Sequence, residues 1–201
     1  MRSGGRNGFF ICIEGIDGSG KTTQAHLLVK TLVGKGYDAV YTTEPTEGAI
    51  GKIIRNQLLQ GNARFPVLEA VLFAADRVHH LENEVVPLLK TGKVVVCDRY
   101  VYSSIAYQGA SGLPIKWIEG INKYAIVPDM AIYIDVPPEV VFRRIKRKKT
   151  VMETLETQQK VRGVYLKLVD EKKLVAIDGK PSPNMVAQAI ETMVLELLRK
   201  K

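Results

Sequence analysis

The sequence predicts an α/β domain: a five-stranded parallel sheet with helices on both faces. Three observations predict it. Five short apolar runs alternate with segments of helical period, the pattern of a parallel sheet joined by helical crossovers. One run, Lys93–Asp98, is nearly all β-branched, as a strand covered on both faces should be. A glycine-rich turn separates the first run from the first helical segment, with neither an internal repeat nor a Pro/Ser-rich linker anywhere, so one domain spans residues 1–201.

Phe9–Glu14 reads as the first strand. Ala25, Leu28, Val29, Leu32 and Val33 then recur at helical spacing, and Gly34 and Gly36 stop that helix. Tyr37–Thr43 is the second strand. Ile50–Gln60 reads as a short helix closed by Gly61-Asn62. Pro66–Leu89 is a long helical segment with Leu68, Val71, Leu72 and Ala75 on one stripe, and Pro87 should distort its last turn. Lys93–Asp98 and Met130–Asp135 are strands, with Trp117 and Tyr124 packing a short helix between them, after a loop around Tyr107. Val161, Val164, Tyr165, Leu168 and Val169 mark a helix, and Leu174–Ile177 the last strand. Ser182 caps a final helix that has Pro183 at its first position and Val186, Ala189, Ile190, Met193, Val194, Leu197 and Leu198 along its stripe.

A hydrophobic share of 46% over 201 residues suits one globular core plus a small insertion. Residues 143–153 break the apolar pattern and predict a short basic lid. The net charge of +8 fits an anionic partner or plain solubility. Much of it sits in Arg143-Arg144-Ile145-Lys146-Arg147-Lys148-Lys149 and in Arg199-Lys200-Lys201. Cys12 and Cys97 lie in strand-like runs and read as small buried hydrophobes in a reducing compartment. His26, His79 and His80 fall in helical segments without ligand spacing and read as surface or interface histidines. The basic, Gly-rich start lacks the apolar core of a secretory leader. No run reaches the roughly 18 apolar residues of a membrane span. A cytoplasmic protein is expected, with no membrane partner.

Gly15-Ile16-Asp17-Gly18-Ser19-Gly20-Lys21-Thr22 fits G-x-x-x-x-G-K-[ST], with a strand before it and a helix behind it, and its residues with Thr23 are the candidate phosphate binders. Glycines let the backbone N–H groups wrap phosphate oxygens at a helix N-terminus. Lys21 should reach the β- and γ-phosphates of a bound nucleotide, and the Thr22 hydroxyl should ligate Mg²⁺. This is the P-loop NTPase fold, and it indicates nucleotide binding without choosing the reaction. Asp98 ends a buried strand, and ligands of open α/β sheets sit at the carboxyl ends of strands. Asp98 and Arg99 should therefore face the same crevice, the carboxylate serving Mg²⁺ and the guanidinium a phosphate.

Asp98-Arg99-Tyr100, Ser103-Ser104 and Ala106-Tyr107-Gln108-Gly109, with Leu72-Phe73-Ala74-Ala75-Asp76-Arg77 and the Glu44-Pro45 turn, resemble in order and spacing the segments of the thymidylate kinase family. The resemblance runs from about Phe9 to the last helix. It implies ATP-dependent phosphorylation of dTMP to dTDP, with Mg²⁺ as cofactor and ATP as co-substrate. It implies that Phe73 stacks on thymine and that Arg77, on the same helix face, donates to a thymine carbonyl. Arg99 would hold the dTMP phosphate. Tyr107 would lie against the sugar and select deoxyribose. Ser103, Ser104 and Gln108 would line the acceptor, and Asp17 would meet its 3′-hydroxyl or organise an arginine. Because Gly18 follows Asp17, the lid must supply the catalytic cation, with Arg143, Arg147 and the neighbouring lysines as candidates. Glu153 would lie near the acceptor. Asp178, Lys180 and Pro181 resemble the adenine-side loop. A homodimer built on the helices around residues 66–90 is also implied.

The chain departs from the family at Thr43, where an arginine usually precedes Glu44-Pro45; either one phosphate contact is missing, or Arg55 or a lid residue replaces it. Thr150 and Val151 stand where an acidic-basic pair is usual. Two rival readings stay open: a kinase for another nucleotide or deoxynucleoside, and a nucleotide-dependent binding or regulatory module. No nucleic-acid module is visible, so no nucleic-acid partner is expected.

Overall fold

The protein is described by a computed structural model over residues 7–59, 65–144 and 154–199. Strands β1 (Phe9–Glu14), β2 (Ala39–Thr43), β3 (Val94–Asp98), β4 (Met130–Asp135) and β5 (Val175–Asp178) form one sheet in the order β2-β3-β1-β4-β5. Every pairing is parallel. β1 is buried along its whole length and β3 likewise, so backbone hydrogen bonding and apolar burial act together at the sheet's centre. β5, at the edge, is mostly exposed. Cys12 and Cys97 are register partners on β1 and β3, free and buried. Burial pushes both thiols up, so they behave as inert packing.

Helices α1 (Lys21–Gly34) and α9 (Pro183–Arg199) pack on each other. α9 buries Val186, Ile190, Val194 and Leu198 as its period predicts, and Ser182 Oγ caps it from 3.4 Å off Met185 N. A second group joins α5 (Val101–Ala110) to α6 (Ile115–Ile121) and α8 (Leu155–Asp170). α7 (Pro138–Arg144) packs on α8.

The segment after β2 is helical, as α2 (Ala49–Ile53) continued by a π turn; its predicted closure at Gly61-Asn62 lies outside the described residues. α3 (Pro66–His80) runs through a π turn, Leu81–Val85, into α4 (Val86–Lys90). Pro87 has no N–H to give Asn83, so the distortion predicted there is taken up one turn earlier as a wider helix turn.

Three expectations change. The stripe on α3 is turned outward: Leu68, Val71 and Ala75 are exposed, while Glu69, Asp76, Arg77 and His80 are buried. Val33, Ala189, Trp117 and Tyr124, all expected to pack, are likewise exposed. The residues around Tyr107 form helix α5 rather than a loop. Its N-terminal N–H groups are taken up by the buried Glu14, whose Oε1 accepts from Tyr100 N at 2.9 Å and Ser103 N at 3.3 Å. A carboxylate at a helix N-terminus stabilises it, and here it comes from the end of β1.

Candidate active site

The turn between β1 and α1 has the backbone its glycines predict. Gly20 is left-handed at φ 96, and a Cβ on Gly15 would sit 2.5 Å from Ser19 Oγ. α1 begins with no side-chain cap, leaving its first N–H groups to an anion. Lys21 is buried, with Nζ 2.7 Å from Ile16 O. Burial first, then the charge of Arg99, brings its pKa down to about 8.

Thr22 Oγ1 donates to Asp98 Oδ2, while Asp98 Oδ1 is buried with no hydrogen-bond partner among the described residues. Oxygen donors with one unspent buried lone pair fit a hard divalent cation, so Thr22 and Asp98 suit Mg²⁺.

Arg99 joins the two halves. It has φ 70, an uncommon conformation for a side-chain-bearing residue. From there Nη2 pairs with Asp17 Oδ1 and lies 3.4 Å from Tyr107 OH, while Nη1 donates to Ser103 Oγ at 3.1 Å. Burial opposes ionisation of Asp17, but the charges of Arg99 and Lys21 outweigh it and hold the carboxyl below its ordinary range. Ser103 Oγ also meets Glu14 Oε2 at 2.6 Å, and Tyr165 OH meets the same oxygen at 2.9 Å. Burial pushes Glu14 up, and those donors oppose it.

Behind this cluster lies a second one. Arg77 is almost wholly buried, its Nη2 2.7 Å from Glu44 Oε2 and 3.1 Å from Ser104 Oγ, its Nη1 donating to Asn122 Oδ1. Glu44 precedes Pro45 through a cis peptide bond. His80, read as a surface or interface residue, is buried inside the chain between Glu44 and Thr42; polar partners on both ring nitrogens make its burial tolerable. Phe73 is half-buried and outside the apolar core. Arg55 spends its guanidinium on Pro45 O at 2.5 Å, on Thr46 O and on Glu47 at 2.8 Å. It braces the turn after β2, the turn that lacks the usual arginine.

On the other side, Gly18, Ser19, Gly20 and Thr23 share a cavity of about 380 Å³ with Arg144, Lys180, Pro181 and Val186. Asp178 Oδ1 holds Lys180 N at 3.0 Å. Arg144, which sequence reasoning did not single out within its basic run, donates to Gly179 O at 3.3 Å and Lys180 O at 2.9 Å. Arg143 is exposed at the end of α7. Arg147 and Glu153, with most of the lid, lie outside the described residues.

Sequence reasoning also missed Gln158 on α8. It is buried, accepts from Asp17 N at 3.2 Å and donates to Asp17 Oδ2 at 3.3 Å. Arg162, two-pronged on Asp135 at 2.8 and 2.9 Å, was missed too. Glu14 did carry a signal, a charge closing an otherwise apolar strand.

A family model described as Thymidylate kinase matches residues 13–190. Similar proteins include three named probable thymidylate kinase. That of Pyrococcus horikoshii is 48% identical over 171 residues, covering 81% of this chain and 83% of its own. That of Pyrococcus abyssi is 43% identical, covering 93% and 96%. That of Staphylothermus marinus is 42% identical, covering 96% and 97%.

Proposed function

Because this chain belongs to the thymidylate kinase family, we propose that it transfers the γ-phosphoryl of ATP to dTMP, giving ADP and dTDP. The observation that carries this is the Asp17–Arg99 pair, which ties the glycine-rich turn to the end of β3 and so sets two anion grips against each other. Transfer then needs positioning and electrostatics, with no covalent intermediate. The turn's N–H groups and Lys21 hold the triphosphate, Arg99 holds the acceptor phosphate, and Tyr107 lies against the deoxyribose. Mg²⁺, held by Thr22 and Asp98, would neutralise phosphate charge when bound. The cavity by Lys180, Pro181 and Arg144 receives the adenine.

Two buried atoms without hydrogen-bond partners among the described residues favour thymine: the donor Arg77 Nε and the acceptor Gln108 Oε1. Thymine offers a 4-carbonyl and an N3–H, their complement; cytosine offers the reverse. Ser104, bonded to Arg77, lies one helical turn from Gln108. ADP release is expected to be strong with dTMP, weaker with dUMP, and near background with AMP, CMP and thymidine. Equal rates with CMP would favour another acceptor. Phe73→Ala is expected to raise the dTMP KM on the order of tenfold, the worth of one aromatic–base stack, with an unchanged melting temperature; unchanged KM would remove Phe73 from the site.

The outward stripe of α3, with Phe65, Val67, Leu68 and Val71 all at least 44% exposed, supports a homodimer through residues 66–90, since such patches mark contact surfaces. Light scattering is expected to give twice the 22.3 kDa of one chain, and Leu68→Asp with Val71→Asp to give one. Among the described residues no helix is long and apolar enough to cross a membrane.

A further inference from the structure

His80 has no part in the phosphate chemistry, yet it is fully enclosed and doubly engaged. Its Nε2 lies 2.7 Å from Thr42 Oγ1 and its Nδ1 3.1 Å from Glu44 Oε1. A carboxylate only accepts, so Nδ1 carries the proton, and in the neutral ring Nε2 accepts from the Thr42 hydroxyl. The other oxygen of Glu44 lies 2.7 Å from Arg77 Nη2. His80 and Arg77 are three residues apart on one helix face, and Glu44 spans them from the turn after β2. Cys97 also lies close, so that Glu44, His80 and Cys97 offer ligand atoms within 4.8 Å of one another. Arg77 already brings the positive charge there, and a metal ion would face it at contact range.

We propose that His80 is a positioning residue for acceptor recognition: it fixes Glu44, and Glu44 fixes the Arg77 guanidinium that reads the base. The inference rests on the proposed reading of Arg77 as the base-reading side chain. Glu44 Oε1 has His80 as its hydrogen-bond partner among the described residues. Without that N–H the carboxylate is free to turn, and Arg77 loses its fixed counter-charge. Fixed orientation of a reading group, rather than its presence, sets how well it binds.

Two substitutions separate the ring's ends. The amide of an asparagine occupies the place of Nδ1, that of a glutamine the place of Nε2. His80→Gln is expected to raise the dTMP KM on the order of tenfold, the worth of one charge-assisted hydrogen bond. Its kcat, ATP KM and melting temperature should stay near wild type. His80→Asn, which restores a donor to Glu44, should return the dTMP KM to within about twofold. On an Arg77→Ala background, His80→Gln should add nearly nothing, since residues acting in series are not additive. Equal damage from Asn and Gln, or a full His80→Gln effect without Arg77, would overturn the proposal. An unchanged dTMP KM in Arg77→Ala alone would instead remove Arg77 as the base reader, and the proposal with it.

Discussion

Arg99→Ala is expected to lower kcat/KM for dTMP on the order of 10³-fold while the ATP KM stays within about twofold. Alanine meets the same φ of 70, so the backbone demand at this position is not relieved. What disappears is the fork that reaches Asp17, Ser103 and Tyr107 together. The loss is double. On the proposed reading the acceptor phosphate loses its clamp, and Asp17, keeping Gln158, loses its ion-pair partner beside that phosphate. Arg99→Lys keeps the charge but not the planar fork, and should recover only part of the rate. The check is steady-state kinetics with each substrate varied in turn. Unchanged dTMP kinetics would displace the acceptor site from this crevice.

Lys21→Ala is expected to bring turnover down at least about 10³-fold, since on the proposed reading this amine supplies positive charge to the transferred phosphoryl. Its pKa of about 8 adds a pH signature. In free enzyme, kcat/KM for ATP should fall as pH rises through about 8, because the neutral amine no longer attracts phosphate. A bound triphosphate favours the charged amine, so the same arm in kcat should lie higher. For stability the sign is opposite to that of a paired lysine. The folded pKa lies below the unfolded one, so burying the ammonium is unfavourable below about pH 8, and the penalty fades as pH climbs toward the unfolded value. Thermal melts of Lys21→Ala at neutral pH should therefore fall at or above the wild-type temperature. A lower one would mean that Lys21 holds the turn together.

The sheet was legible because its central strands are buried on both faces, which leaves only β-branched and apolar residues in Val94–Cys97. The phosphate turn was legible because its parts are contiguous. Helix α5 was not, since what ends its N-terminus is Glu14, distant in sequence. Gln158 meets Asp17 across 141 positions, and no local pattern announces such a pairing. α3 misled for a definite reason. Periodicity assigns apolar residues inward, but Asp76 is satisfied by Thr46 N and Oγ1 at 2.7 Å each, Arg77 is ion-paired to Glu44 and bonded to Ser104 and Asn122, and His80 meets Glu44 and Thr42. Paired polar side chains can occupy an interior, and the apolar ones are then left outside.

β1 and β3 are adjacent, and Arg99 N donates to Ile13 O at 3.0 Å just where both strands end. On the proposed reading, donor and acceptor grips are thus mounted on neighbouring rails about 4.8 Å apart, a spacing that backbone bonding does not let vary. Such a gauge counts phosphates. A nucleoside falls short of the donor's terminal group, and a nucleoside diphosphate brings one phosphate too many into the gap. Discrimination by chain length would then come from the sheet itself, and recognition of the base from the helices behind it.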